Sequence, residues 1–131
     1  MPMFDSMAIS ASGMTAHRLW MDVISSNLAN ADSTRTAEGG PFRRQLVVFT
    51  ADTEEGGVAV DQVRPDPSPS RQIYDPGHPD ADANGIVQYP NVEPVREMID
   101  MLNASRAFEA NAVAMTTGRN MLLRALEIGQ R

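Results

Sequence analysis

A chain of 131 residues with 42% hydrophobic but only 5% aromatic side chains can build one modest domain around a thin core. Its formal charge of -6, with 11 arginines and no lysine against 17 acidic residues, repels phosphate backbones and anionic lipid, so no nucleic acid and no membrane surface is an expected partner. Cysteine is absent, which removes disulfides, thiolate metal sites and thiol nucleophiles; no run approaches the ~18 apolar residues of a membrane span, and Met1 to Ser6 carry no cationic stretch of a cleavable signal.

Three zones differ in composition. All nine methionines fall between Met1 and Met21 or between Met98 and Met121, while eight of the nine prolines fall between Pro41 and Pro94. Net charge is about -1 over residues 1–31, about -5 over 32–91 and about 0 over 92–131, so the acidity belongs to the middle. The expected organisation is an N-terminal helix in 1–31, a β-hairpin and extended loop region in 32–91, and a C-terminal helix in 92–131, with the helices paired in one structural domain.

The first zone reads as one amphipathic helix from about Asp5 to Asn30. Met7, Met14, Met21 and Leu28 recur at seven, and Met3, Ser10, His17 and Ile24 take the intervening positions, a coiled-coil seam with two polar interruptions. Gly13 lies inside it, at a cost of ~1 kcal/mol against alanine unless close packing offsets the loss. The stretch Asn27-Leu28-Ala29-Asn30-Ala31-Asp32 ends the pattern, since asparagine tolerates the left-handed conformation that follows a helix.

The middle changes period. Gln45 to Thr50 is rich in β-formers and Gly57 to Val63 alternates at two, so these runs can pair across Ala51 to Gly56. Pro65, Pro67 and Pro69 then force an extended, unpaired strip, because proline cannot donate to a ladder. Short runs at Gln72 to Tyr74 and Ile86 to Tyr89 flank a loop of Asp, Gly and Pro.

The last zone is the stronger helix. Met98, Ser105, Ala112, Arg119 and Leu126 form one seven-residue series, and Met101, Phe108, Met115 and Leu122 a second. Asn91 is the expected N-cap, Glu93 complements the helix dipole, Pro94 is tolerated in the first turn, and Gly129 is the stop. Arg106 with Glu109 and Arg124 with Glu127 are expected i,i+3 pairs. At ~100° per residue a second apolar face appears on Ile99, Ala107, Ala110, Ala114, Met121, Ala125 and Ile128. Ile9, Ala16, Leu19, Trp20 and Val23 form a comparable surplus on the first helix. One antiparallel partner covers only one face of each, so both surplus faces are expected to be exposed in a single chain.

Chemical constellations are weak by comparison. Asp80-Ala81-Asp82-Ala83-Asn84-Gly85 matches the first half of a calcium loop, but position 12 is Asn91 and Pro76 and Pro79 forbid the entering helix, so a polar turn is the better reading. His78 stands near Asp75, Asp80 and Asp82 in sequence, as solvated loop residues do; His17 lies on a helical seam and is expected to pack. No nucleophile elbow, phosphate loop or dinucleotide fingerprint occurs. No catalytic, cofactor-binding or metal residue is assigned, and no cofactor is expected.

Several stretches carry a family resemblance. Asn27-Leu28-Ala29-Asn30-Ala31 closing an N-terminal amphipathic helix, together with a long C-terminal helix, resembles the shared signature of flagellar rod and hook axial proteins. Gly40-Pro41-Phe42-Arg43-Arg44-Gln45, Tyr74 through Gly85 with Asp75-Pro76-Gly77-His78-Pro79-Asp80 at its heart, Tyr89-Pro90-Asn91-Val92 and Ser105 to Asn111 resemble the C-type proximal rod family in particular, over nearly the whole chain. Pro94 and Gly118 depart from the pattern; the first can shift the helix start and the second can mark a bend.

The resemblance implies a mainly α fold, long terminal helices paired as an antiparallel coiled coil with a small β-hairpin and an irregular Pro-rich middle. It implies a structural subunit of the bacterial flagellar basal-body proximal rod, not an enzyme. Such a subunit transmits motor torque, forms part of the export tube, and is exported to the periplasm by the flagellar type III apparatus without a cleavable signal. Its partners would be itself, other rod proteins and that apparatus. The assembly interface is expected on Met7, Met14, Met21, Ile24, Leu28, Met98, Met101, Phe108, Met115, Leu122 and Leu126. Another axial rod component and a small calcium-binding module are the alternative readings.

Overall fold

The computed structural model describes residues 2–130. Its elements run α1 (Pro2–Ala29), β1 (Gln45–Ala51), β2 (Val58–Pro65), β3 (Arg71–Tyr74), β4 (Ile86–Tyr89) and α2 (Pro94–Gly129). The chain is thus mainly helical, with a small antiparallel β region between its two helices.

The helices run antiparallel. A Cβ built on Gly118 meets the Met7 side chain, one built on Gly13 meets Asn111, and Asn27 bonds to Glu97, so the register is constant along the pair. Both mid-helix glycines therefore stand at the helix contact, where close approach offsets their poor propensity. Along α2 the innermost line is Glu97, Ala104, Asn111 and Gly118, of which only Asn111 is not fully buried. That line lies one residue before the expected Met98 series, and it joins the half-buried series Met101, Phe108, Met115 and Leu122. On α1 the buried positions are Gly13, Ala16, Ile24 and Asn27.

Extending the register puts Pro2 about level with residue 123, so roughly the last six residues of α2 project ~9 Å past α1. The start of α2 also differs from expectation. Asn91 does not cap it: Glu93 is the N-cap residue, without a side-chain cap bond, and Pro94 opens the helix. Asn91 instead accepts the Arg44 N–H (2.8 Å) and donates to the carbonyls of Asp66 and Ser68. The expected Arg106–Glu109 and Arg124–Glu127 pairs do not close to ion-pair distance, as is usual for solvated charges on an open helix face.

β1 and β2 pair antiparallel from Gln45↔Pro65 to Ala51↔Val58, with a bulge at Val48/Phe49. Pro65 thus belongs to the ladder's last position and does not lie in an unpaired strip. β3 and β4, the short runs flanking the Asp, Gly and Pro loop, pair as a second hairpin, Arg71↔Tyr89 to Tyr74↔Ile86.

The β1–β2 hairpin lies on α1. The Ser12 hydroxyl accepts the Val58 N–H (3.1 Å), Gly57 sits against Ile9 and Ser12 with φ +97°, and Phe49 stacks on His17 and meets the Trp20 edge, ring centroids 5.5 and 5.8 Å apart. A side chain at Gly57 would collide with Ser12 while holding a left-handed backbone. The surplus face of α1 is therefore covered within the chain: Ala16 is buried and Trp20 and Val23 are half-buried, contrary to the expectation of exposure. Ile9 and Leu19, at its margins, stay open.

Candidate assembly surface

Two features stand out once the layers are placed: a bare helix face and a polar clasp that holds the other layers in position. α1 is sandwiched between α2 on one side and the β1–β2 hairpin on the other. α2 has no layer behind it. Opposite its inner line, at ~100° per residue, lie Val95, Ile99, Leu102 and Val113, and all four are more than half exposed. Of the expected second face, Ile99, Ala110, Ala114, Met121, Ala125 and Ile128 are exposed and only Ala107 is half-buried. Nothing among the described residues covers this stripe.

The expected interface residues divide. Met7, Met14, Met21, Leu28, Met101, Phe108, Met115 and Leu122 are half-buried and Ile24 is buried, whereas Met98 and Leu126 are exposed. Met14, Phe108 and Met115 line one shallow cleft with Ala11, Thr15 and Arg18. Met98 and Leu126 flank the inner line on the open side, which is why a seam drawn through them is offset.

The clasp joins four segments. The Arg44 guanidinium bonds through Nε to Glu97 and through its two terminal nitrogens to Asp66 (3.2 Å) and Asp100 (3.3 Å). Asn27 Nδ2 donates to Glu97 Oε2 (3.2 Å) and to the Gln45 carbonyl (3.0 Å), and its Oδ1 accepts the Gln45 N–H (2.9 Å). The Asn27 amide thus pairs with the first residue of β1 as a neighbouring strand would. Glu97 and Asn27 are 0% and 1% exposed, and among the described residues no buried side-chain polar atom lacks a partner. Burial by itself disfavours the Arg44 charge, but Glu97 and then Asp66 outweigh it and hold the guanidinium above its ordinary pKa.

The resemblance motifs have structural roles in the same region. Asn30 closes α1 by donating to the Ser26 carbonyl, beside the half-buried Leu28 and exposed Ala29. In the β3–β4 loop, Asp75 Oδ1 accepts the Gly77 N–H and His78 Nδ1 accepts the Asp80 N–H, while Pro76 packs against Gly85 and Pro79 is exposed. Asp80 ties the loop to the exit of α1, one oxygen on Arg35 (2.5 Å) and the other on the Thr34 hydroxyl (2.7 Å). Asp82 Oδ1 accepts the N–H groups of Asn84 and Ile86. These oxygens are turned onto amides, a hydroxyl and a guanidinium, not toward a common centre, and among the described residues no three His, Asp or Glu side chains group as a metal site. The calcium reading has no geometric support. Arg71 completes this end, reaching the Pro90 and Ala31 carbonyls beside the buried Val87, Pro90 and Val92.

The composition of the inner line explains what sequence reasoning missed. Glu97, Asn111 and Arg44 carry no hydrophobic signal, although Glu97, Ala104, Asn111 and Gly118 do repeat at seven.

The described helices include none long and apolar enough to cross a membrane. Residues 7–35 match the family described as flagella basal body rod protein, and residues 83–128 match the flagellar basal body rod FlgEFG protein C-terminal family. The chain is 41% identical to the flagellar basal-body rod protein FlgC of Bacillus subtilis strain 168, covering 99% of this chain and 100% of that one. It is 40% identical to FlgC of Borreliella burgdorferi, with 99% of each covered, and 42% identical to FlgC of Aquifex aeolicus, with 97% of each covered. Identity at this level over nearly the full length of both chains means that the chain belongs to the FlgC family of flagellar basal-body rod proteins.

Proposed function

We propose that this chain is a structural subunit of the flagellar basal-body rod, in its proximal part, and that it works by packing and not by catalysis. The observation that carries the reading is the open apolar stripe on α2: a soluble monomer rarely leaves so many large side chains aligned and uncovered on one helix. Repetition of one chain about an axis covers such a stripe, and heterologous contacts build a tube. The helices then act as an antiparallel coiled coil joined by a hairpin and an extended middle, with residues 1–31 and 92–131 as the axial part and 32–91 as the outer part.

In this reading Met98 and Leu126, with the outer stripe, meet neighbouring subunits. The half-buried positions Met7, Met14, Met21, Leu28, Met101, Phe108, Met115 and Leu122, with Ile24, keep the helix pair straight and stiff. Packed helices carry torque from motor to distal parts, and the bore passes later substrates. The partners are further copies, other rod proteins and the type III export apparatus, and the location is the periplasmic rod of the basal body. Electron microscopy of basal bodies purified with and without this chain tests the assignment. Rods of normal length in its absence would refute it.

A further inference from the structure

Methionine is the only sulfur in this protein, since nine methionines occur without a cysteine. Met7, Met14, Met21, Met101 and Met115 are half-buried, whereas Met98 and Met121 are 59% and 52% exposed. Met98 lies one helical turn from the exposed Val95 and Leu102, and Met121 one turn from the exposed Ala125 and two from Ile128. Both thioethers are open, Met98 beside the outer stripe and Met121 on the other flank of α2, one turn past Gly118 and level with the beginning of α1.

We infer that Met98 and Met121 are two separate reversible oxidation sites on the uncovered flanks of α2, the oxidant being hydrogen peroxide. A sulfur lone pair attacks one peroxide oxygen, the O–O bond breaks and an S–O bond forms. The proton of the transferred hydroxyl passes to the departing hydroxide, which leaves as water. Sulfur gives up two electrons and the peroxide takes them. The product sulfoxide is polar and chiral where the thioether was apolar, and reductases specific for each epimer reverse it. A sulfoxide oxygen buried against a neighbouring apolar surface without a donor is penalised as any unpaired polar group is. This step rests on the reading that the uncovered flanks of α2 become covered in the rod. It makes the free subunit sensitive and the assembled one protected.

The test uses the full chain. Peptide mass spectrometry during limited hydrogen peroxide treatment should show Met98 and Met121 converting roughly tenfold faster than Met14, Met101 and Met115, and both slowing markedly in purified basal bodies. Equal rates for the open and inter-helix methionines overturn the inference. In cells lacking the native chain, the double variant M98Q/M121Q, polar like the sulfoxide, should lose most swimming while M98L/M121L swims. Both variants should keep the helical circular dichroism of the parent. Normal swimming by the Gln variant also overturns it. Failure of the rod reading would appear separately, as absence of the chain from purified basal bodies, and would leave the ranking of oxidation rates to judge the sulfur chemistry.

Discussion

Arg44 lies among three carboxylates, and the energetic consequence depends on which partner is removed. A buried ion pair adds little against an apolar replacement of both members, but deleting one member strands the other without water. Glu97 is fully buried, so Arg44→Leu should cost ~3–5 kcal/mol, read as a lowered urea midpoint. Glu97→Gln should be milder, because Arg44 keeps Asp66 and Asp100. Two carboxylates add a pH term. Hydrogen bonds from the Ser68 hydroxyl and amide, and after them Arg44, hold Asp66 below the ordinary carboxylate range, and the Thr34 hydroxyl followed by the Arg35 charge does so for Asp80. A depressed folded-state pKa contributes stability that is complete above the unfolded value near 4 and disappears as pH falls through the folded value. Stability should therefore be insensitive to these groups at neutral pH and fall below about pH 4, and Asp66→Asn should flatten that acid limb in urea titrations at stepped pH.

At the scale of elements, Gly13 and Gly118 differ in the atoms facing them. A methyl on Gly118 would stand 3.2 Å from Met7 Cγ, an unbranched side chain that can turn away. One on Gly13 would stand 2.8 Å from Asn111 Nδ2, on a short side chain already bonded to the Ala107 carbonyl. Alanine gains up to ~1 kcal/mol of helix propensity at either site, and overpacking costs ~1–3 kcal/mol where the neighbour cannot yield. Gly118→Ala should thus be neutral or stabilising and Gly13→Ala destabilising, with Asn111→Ala rescuing the second in a double-mutant cycle of thermal midpoints. The two sides of α2 should separate in the same way. Phe108→Asp should loosen the helix pair, visible by circular dichroism, whereas Val113→Asp should leave the fold intact and abolish swimming.

The elements were unevenly legible in the sequence. The Met101, Phe108, Met115, Leu122 series announced itself by hydrophobic period. The true inner line did not, because Glu97 and Asn111 bury through bonds to particular partners and Gly118 by having no side chain. β1 and β2 were readable from β-branched residues on either side of a turn. Their resting place was not, since whether a hairpin lies on α1 or stands free depends on contacts such as Ser12 to Val58, 46 residues apart. β3 and β4, four residues each, are too short to show a period.

For the molecule as a whole, the layering predicts a gradient of protection. Residues 97–118 of α2 lie against α1 and the clasp, while the end beyond about residue 123 has no partner element among the described residues. Amide exchange of the free chain should accordingly be slowest around Ala104 and fastest after Leu123, and incorporation into rods should protect that end. Uniform protection along α2 would show that the projecting end is stabilised without neighbours.

The constant helix register has a consequence for the order of events in folding. Met7 meets Gly118 and Gly13 meets Asn111, so the two halves of the main contact are separated by about a hundred residues of chain. Most helical hairpins close over a few residues; this one must gather its entire middle first, and the closure entropy is lost before any contact repays it. Deleting the clasp should then speed unfolding without restoring rapid closure, since the distance to be closed is set by connectivity. A newly made chain would stay open for an unusually long time for its helix content, a property that fits the proposed export of the subunit as an extended thread.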